Sequence, residues 1–163
     1  MGISDFIVVE EVDDPSIADS LFLRGYRKQA PRFPHHIVAW YLRDDGSRMP
    51  VSYVHFTDCS DIWLAGGAAT DGDVLRSMKP EQQQALREYG GLMLATLRYG
   101  FEHFGPTCDA IFTCCGDARA LETTPKLGFG ETGVQYLLAN FLRDASDHRK
   151  RELTAKAASF MPF

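Results

Sequence analysis

Cysteine is scarce in this sequence: there are four among 163 residues, Cys59, Cys108, Cys114 and Cys115, and no C-x-x-C pair. On a strand, adjacent Cys114 and Cys115 point to opposite faces. The spacing argues against a disulfide framework and a zinc site, and it predicts reduced thiols and a cytoplasmic setting. Long apolar runs are missing too, since nothing approaches the ~20 residues that span a bilayer. The opening Met1-Gly2-Ile3-Ser4-Asp5 meets an acid too early for a secretion signal. Positive charge is in deficit, with 17 Lys and Arg against 22 Asp and Glu for a net charge of -5. A chain that grips nucleic acid through its phosphates needs the opposite balance. Neither nucleic acid nor membrane is expected as a partner, and no metal is expected.

What is present supports one core. The chain is 45% hydrophobic and carries 11 Phe, 6 Tyr and 2 Trp, enough to offset the ordering entropy of a single domain of this length. We read residues 1–163 as that domain, with a core over about 5–142 and a C-terminal helix and apolar tail over 143–163.

Phe6 to Val12 is β-branched and predicts a first strand. Asp13-Asp14-Pro15 then starts a helix, with Asp14 as N-cap and Pro15 at its first position. His36 to Leu42 and Val51 to Phe56 read as strands joined by the turn Asp44-Asp45-Gly46-Ser47. A third strand follows at Asp61 to Ala65. Pro80 opens the longest helix, running to about His103, with Gly90-Gly91 weakening or breaking it. Cys108 to Cys114 is a nearly continuous apolar run, as in a strand covered on both faces. Asp117 caps a short helix to about Thr124, Gly128 stops it, Thr132 to Phe141 is a long strand, and Asp144 to Ala158 is a charged helix. The order predicts an α+β (mixed α/β) domain. Its central sheet is mixed, mostly antiparallel and six- to seven-stranded, flanked by helices.

Glycines mark where chemistry could sit. Ala65-Gly66-Gly67-Ala68-Ala69 lies at a strand end with almost no side chains, which suits close approach by a ligand or by another backbone. Arg87-Glu88-Tyr89-Gly90-Gly91-Leu92 offers free backbone N–H groups if a helix restarts there.

Asp117-Ala118-Arg119-Ala120, followed by Thr124-Pro125-Lys126-Leu127-Gly128-Phe129, resembles the GCN5-related N-acetyltransferase (GNAT) superfamily. Members commonly carry N-x-x-A-x-x-x-Y-x-K-x-G-F, and Asp117, Ala120, Thr124, Lys126, Gly128 and Phe129 occupy those positions. The family's Q/R-x-x-G-x-G/A signature is similar to Arg87-x-x-Gly90-Gly91-Leu92. The order of elements from about Asp5 to Phe141 also matches. Leu92 replaces the last small residue, Asp117 the Asn, and Thr124 the Tyr that protonates the leaving thiolate.

The resemblance implies an acyl-CoA-dependent N-acyltransferase, most simply one moving an acetyl group from acetyl-CoA to a small-molecule or peptide amine. The carrier would lie where strands near Ala65 and Thr113 splay. Its amide arm would pair with Leu64, Ala65, Gly66 and Gly67, and its pyrophosphate would meet Arg87 to Leu92, with Asp117 and Thr124 nearby. An N–H near Leu64 or Ala65 would hold the developing oxyanion, an effect of ~3–4 kcal/mol. Direct attack needs the amine deprotonated. Asp61 and His55 are the candidate bases, and Tyr136 the candidate acid in place of the missing Tyr. Asp71, Asp73 and Arg76 are candidate substrate contacts. Trp63, Tyr99 and Phe112 could line an acyl tunnel, which would suit a longer-chain acyltransferase of the acyl-homoserine-lactone or N-acyl-amino-acid synthase type. Other readings are a non-catalytic CoA-binding module, or an interaction domain whose apolar tail docks on a second subunit to form a homodimer.

Overall fold

The computed structural model describes Gly2 to Phe163; Met1 and the side chain of Arg119 lie outside the described residues. In chain order the elements are β1 (Ile7–Val12), α1 (Asp19–Tyr26), β2 (His35–Leu42), β3 (Arg48–Asp58), β4 (Ile62–Thr70), α2 (Gly72–Ser77), α3 (Pro80–Tyr89), α4 (Leu92–Phe104), β5 (Ala110–Cys114), α5 (Ala118–Thr123), β6 (Gly130–Glu131), β7 (Leu137–Phe141) and α6 (Asp147–Ala158). Hydrogen-bonded neighbours run β1-β2-β3-β4-β5-β7-β6. The class is α+β, with a seven-stranded, mostly antiparallel open sheet flanked by helices.

Local chemistry accounts for several boundaries. The Asp14 carboxylate accepts the Ser16 N–H at 2.9 Å, and Pro15 opens a 3-10 turn that leads into α1. The β2–β3 turn works as its residues demand: Gly46 has φ +81°, and Asp45 accepts from the Ser47 N–H and hydroxyl at 2.8 and 2.6 Å.

Four expectations need correction. The long helix is two helices, because Gly90 and Gly91 take φ +108° and +100° and their N–H groups turn back to the Leu86 carbonyl at 3.0 and 2.8 Å. β4 runs on to Thr70, so Gly66 and Gly67 lie inside the strand and not at its end. Thr132–Phe141 is not one strand: Tyr136 has φ +66°, and the Thr132 hydroxyl ties the turn by donating to the Leu137 carbonyl at 2.8 Å. The alternation of Val134, Tyr136 and Leu138 imitates a strand there. Finally, α6 starts at Asp147, not Asp144, because the Ser146 hydroxyl accepts the Arg149 N–H.

The chain resolves into two compact units, one formed by residues up to His55 with Gly67–Tyr99, the other by Phe56–Gly66 with Gly100–Phe163. Apolar clusters form within the first unit. Phe6, Ile7, Val51, Leu86 and Leu92 build one; Leu21, Phe22, Val38, Trp40 and Tyr53 build another. In the second unit Ile62, Phe112, Leu137, Leu153 and Ala157 form the core, and Met161 and Phe163 pack against it. These two tail residues pack against the chain's own core, while Phe160 of the same tail is exposed. Trp63 stacks on Phe104 at 4.2 Å and Phe112 packs edge-on to Phe141.

Candidate functional site

β4 and β5 are parallel, in register from Ile62↔Ala110 to Ala65↔Thr113. β5 ends one residue later at Cys114, whereas β4 continues to Thr70. The pairing stops at Ala65↔Thr113, so from Gly66 onward no β4 residue is paired with β5. Gly67, in mid-strand, has φ +58°. A β-carbon built there would stand 2.7 Å from Nδ1 of His55, closer still to its Cε1, and 3.1 Å from Cζ of Phe22. Bare main chain at this kink is thus a steric requirement.

The α3–α4 junction differs in detail from expectation. The N–H groups of Gly90 and Gly91 are spent on the end of α3, so they cannot face a phosphate. The Ala95 N–H donates to the Gly91 carbonyl at 3.3 Å, so the amides of Leu92, Met93 and Leu94 come before the first bond of this helix, and a preceding glycine offers no side chain to cap them. Leu92 itself is buried beside Phe6 and Leu86 and pins this helix start. The other side chains of the segment are occupied: Arg87 donates to Gln84 Oε1 at 2.9 Å, Glu88 accepts from Gln84 at 2.8 Å, and Tyr89 lies under the Arg98 guanidinium.

In the second unit, the Asp117 carbonyl accepts the Leu121 N–H at 3.1 Å, placing Asp117 at the start of α5. Thr124 begins a 3-10 turn that Gly128 ends at φ +82°. Asn140 donates to the Leu127 carbonyl at 2.7 Å and leaves no room for a β-carbon at Gly128. Phe129 packs edge-on to Phe101. The Thr124 hydroxyl is buried without a hydrogen-bond partner.

No family model and no curated protein matches the sequence. Solved structures do match the architecture. The ribosomal-protein-S18-alanine N-acetyltransferase of Escherichia coli superposes with TM-score 0.56 over 86% of this chain and 97% of its own, at 11% identity. A protein of Exiguobacterium sp. 255-15 assigned as an acetyltransferase gives 0.52 over 94% and 98%, at 16% identity. One from Pyrococcus horikoshii, also so assigned, gives 0.53 at 14% identity; the match covers 77% of this chain but only 43% of that one. The fold is that of the GCN5-related N-acetyltransferases.

Within the GNAT fold, the side chains singled out from sequence fall into different roles. Asp61 sits at the N-terminal end of β4, about 13 Å along the strand from Ala65 at ~3.3 Å per residue. It pairs with Arg149 at 2.6 Å and Lys156 at 2.5 Å, and Arg149 also binds Asp109 at 3.0 Å. Hydrogen bonds from Lys156 and Arg149 hold the Asp61 carboxyl below the usual range, which makes it an anchor for α6 and a poor base. Tyr136 adjoins the opposite end of β5, so it does not meet Asp61. It is exposed in the β6–β7 turn, and its carbonyl accepts the Cys115 N–H. Asp71, a candidate substrate contact, caps α2 through the Asp73 and Val74 N–H groups and pairs with Arg24 at 2.6 Å. Asp73 and Arg76 pair with each other. Burial raises the thiols of Cys108, Cys114 and Cys115, so they are protonated and inert.

His55 is different. It is 3% exposed, and neither ring nitrogen has a partner. Phe33 stacks on it at 4.0 Å, 14° from parallel. Sequence reading missed Phe33, His36 and Tyr53. The Tyr53 hydroxyl lies 2.7 Å from His36 Nδ1, and both residues are buried. His36 from β2 meets Tyr53 and His55 from β3, and the α1–β2 connection adds Phe33, so no local motif announces them.

Desolvation pushes His55 down to about 3 and also lowers His36. The unfolded imidazole takes up its proton below about 6.5. Between those values the unfolded chain binds more protons, so stability falls as pH falls, by about 1.4 kcal/mol per unit. Urea unfolding at pH 7 and pH 5 is expected to differ by about 2 kcal/mol from His55 alone. A His55→Phe variant should lose that share; an unaltered slope would contradict the assignment.

Proposed function

We propose that the protein is an acyl-CoA-dependent N-acyltransferase that moves an acetyl group to a primary amine. What carries this reading is the parallel β4–β5 register that stops at Ala65↔Thr113 while β4 runs on. On this reading Gly66 and Gly67 offer main-chain groups to the amide arm of the acyl-CoA, and the first amides of α4 take its pyrophosphate. Bound acyl-CoA supplies the thioester. The amine nitrogen attacks its carbonyl directly, the N–C bond forming as the C–S bond breaks. A free β4 N–H holds the negative charge that develops on the carbonyl oxygen.

The test is thermal unfolding with acetyl-CoA. Ligand at 100 times its Kd adds about 2.7 kcal/mol, so Tm should rise by about 5–10 °C in a chain of this size. No rise with acetyl-CoA, longer acyl-CoA or free CoA overturns the proposal. Thiol release with a panel of amines then separates enzyme from binding module. The buried Thr124 hydroxyl, standing where the family has a phenol, favours the second reading, and binding without thiol release would establish it.

A further inference from the structure

α1 meets the part of β4 beyond the β5 register at two points. Phe22 lies beside Gly67, and Tyr26, one turn further along the helix, donates from its hydroxyl to the Ala68 carbonyl at 2.7 Å. The two rings pack at 5.1 Å, 33° from parallel. Tyr26 is the last residue of α1, and the left-handed Arg27 after it turns its N–H back to the Leu23 carbonyl. The Tyr26 backbone is thus fixed, while its side chain is 48% exposed. Ala68 lies three residues past Ala65, the last β4 residue paired with β5. A strand carbonyl without a strand partner takes its hydrogen bond from water, a side chain or a ligand. Here an exposed phenol supplies it, and such a bond exchanges for another N–H at little net cost.

We propose that Tyr26 is the hydroxyl that meets the departing sulfur in acyl transfer, after yielding the Ala68 carbonyl to an amide N–H of the acyl-CoA. The proposal rests on the acyl-transfer reading and adds to it a catalytic residue. In an acyl-CoA two methylene groups join the sulfur to the nearest amide nitrogen. An amide that replaces the phenol on this carbonyl therefore brings the sulfur to the side chain it displaced. The phenol turns about its side-chain bonds from the fixed end of α1 and directs its O–H there. As the N–C bond forms and the C–S bond breaks, negative charge gathers on the sulfur, and the Tyr26 O–H donates a hydrogen bond to it. The phenol keeps its proton. The amine nitrogen releases one proton to solvent and the sulfur takes one up, so amine plus thioester becomes amide plus thiol.

The experiment compares the full chain with its Tyr26→Phe variant, which keeps the ring against Phe22 and removes only the hydroxyl. Free CoA and acetyl-CoA are the ligands, and thiol release from acetyl-CoA with a panel of primary amines is the reaction. In wild type carrying tyrosine 13C-labelled at Cζ, free CoA should move the one resonance that Tyr26→Phe lacks. The rise in Tm with free CoA should be at least as large in Tyr26→Phe, since no hydroxyl has to leave the carbonyl. At saturating acetyl-CoA the kcat of Tyr26→Phe should fall about tenfold or more, the loss expected for one hydrogen bond to a developing charge, while KM for acetyl-CoA does not rise. A merely structural role would weaken binding and leave turnover of the bound carrier unchanged. An unmoved resonance in wild type that binds CoA, a smaller Tm rise in Tyr26→Phe, or an unchanged kcat would each overturn the proposal, as would binding without thiol release in wild type. If wild type shows no Tm rise with either ligand or with longer acyl-CoA, the acyl-transfer reading itself falls and takes the proposal with it.

Discussion

Replacing Gly100 with alanine is expected to destabilise the protein, although alanine is the better helix former by about 1 kcal/mol. Gly100 lies inside α4, and a β-carbon there would stand 2.9 Å from Cε1 of Phe56 and nearer still to two other ring atoms. Phe56 is fully buried, and its ring already packs against Phe104 at 5.2 Å, which in turn stacks on Trp63. The ring has nowhere to retreat. Overpacking of this kind costs up to about 3 kcal/mol, so the net loss is about 2 kcal/mol once the helix gain is subtracted. For a chain of this length that is a fall of roughly 4–8 °C in Tm. Trimming the ring in Gly100→Ala/Phe56→Leu should make the double variant more stable than the sum of the singles, a coupling between touching residues. A rise in Tm for Gly100→Ala, as helix propensity alone predicts, would falsify this packing account.

The same pair shows where sequence reading stops. Gly100 looks like a tolerated glycine in a helical stripe, and nothing local says that a phenyl ring from β3 fills the space above it. Features written in neighbouring residues were legible. Asp14-Pro15 starts the turn before α1, Asp44 to Ser47 closes the β2–β3 hairpin, and Gly90-Gly91 parts two helices. The resemblance to the GNAT fold was carried by the order of elements together with the residues of Asp117 to Phe129 and Arg87 to Leu92. The direction of the Gly90 and Gly91 amides was not legible, because it depends on φ values that glycine leaves open. The role of Asp61 was hidden for another reason: its partners Arg149 and Lys156 lie 88 and 95 positions away on α6. At the candidate site, His55 was visible as a strand histidine, but its isolation depends on Phe33 and Gly67 arriving from two other segments. A sequence lists polar atoms; it does not show which of them end up without a partner.

Gly67→Ala carries the largest expected effect in the candidate site, because two independent costs meet there. Alanine in the left-handed region loses about 1–2 kcal/mol to its own carbonyl contact. Its β-carbon must also displace the His55 ring, on which Phe33 stacks, and would itself meet Cζ of Phe22 at 3.1 Å, at a further 1–3 kcal/mol or so. The expected loss is about 3 kcal/mol, or roughly 6–12 °C in Tm. The two costs separate in the double variant Gly67→Ala/His55→Ala, which removes the clash but not the backbone strain. It should recover about half of the loss, with a coupling of about 1–2 kcal/mol. If the imidazole merely fills space that a shifted β4 can vacate, Gly67→Ala will be mild and the double variant additive. That result would also remove the reason for glycine at the kink, since bare main chain would then be a convenience of this strand and not the counterpart of a histidine pressed against it.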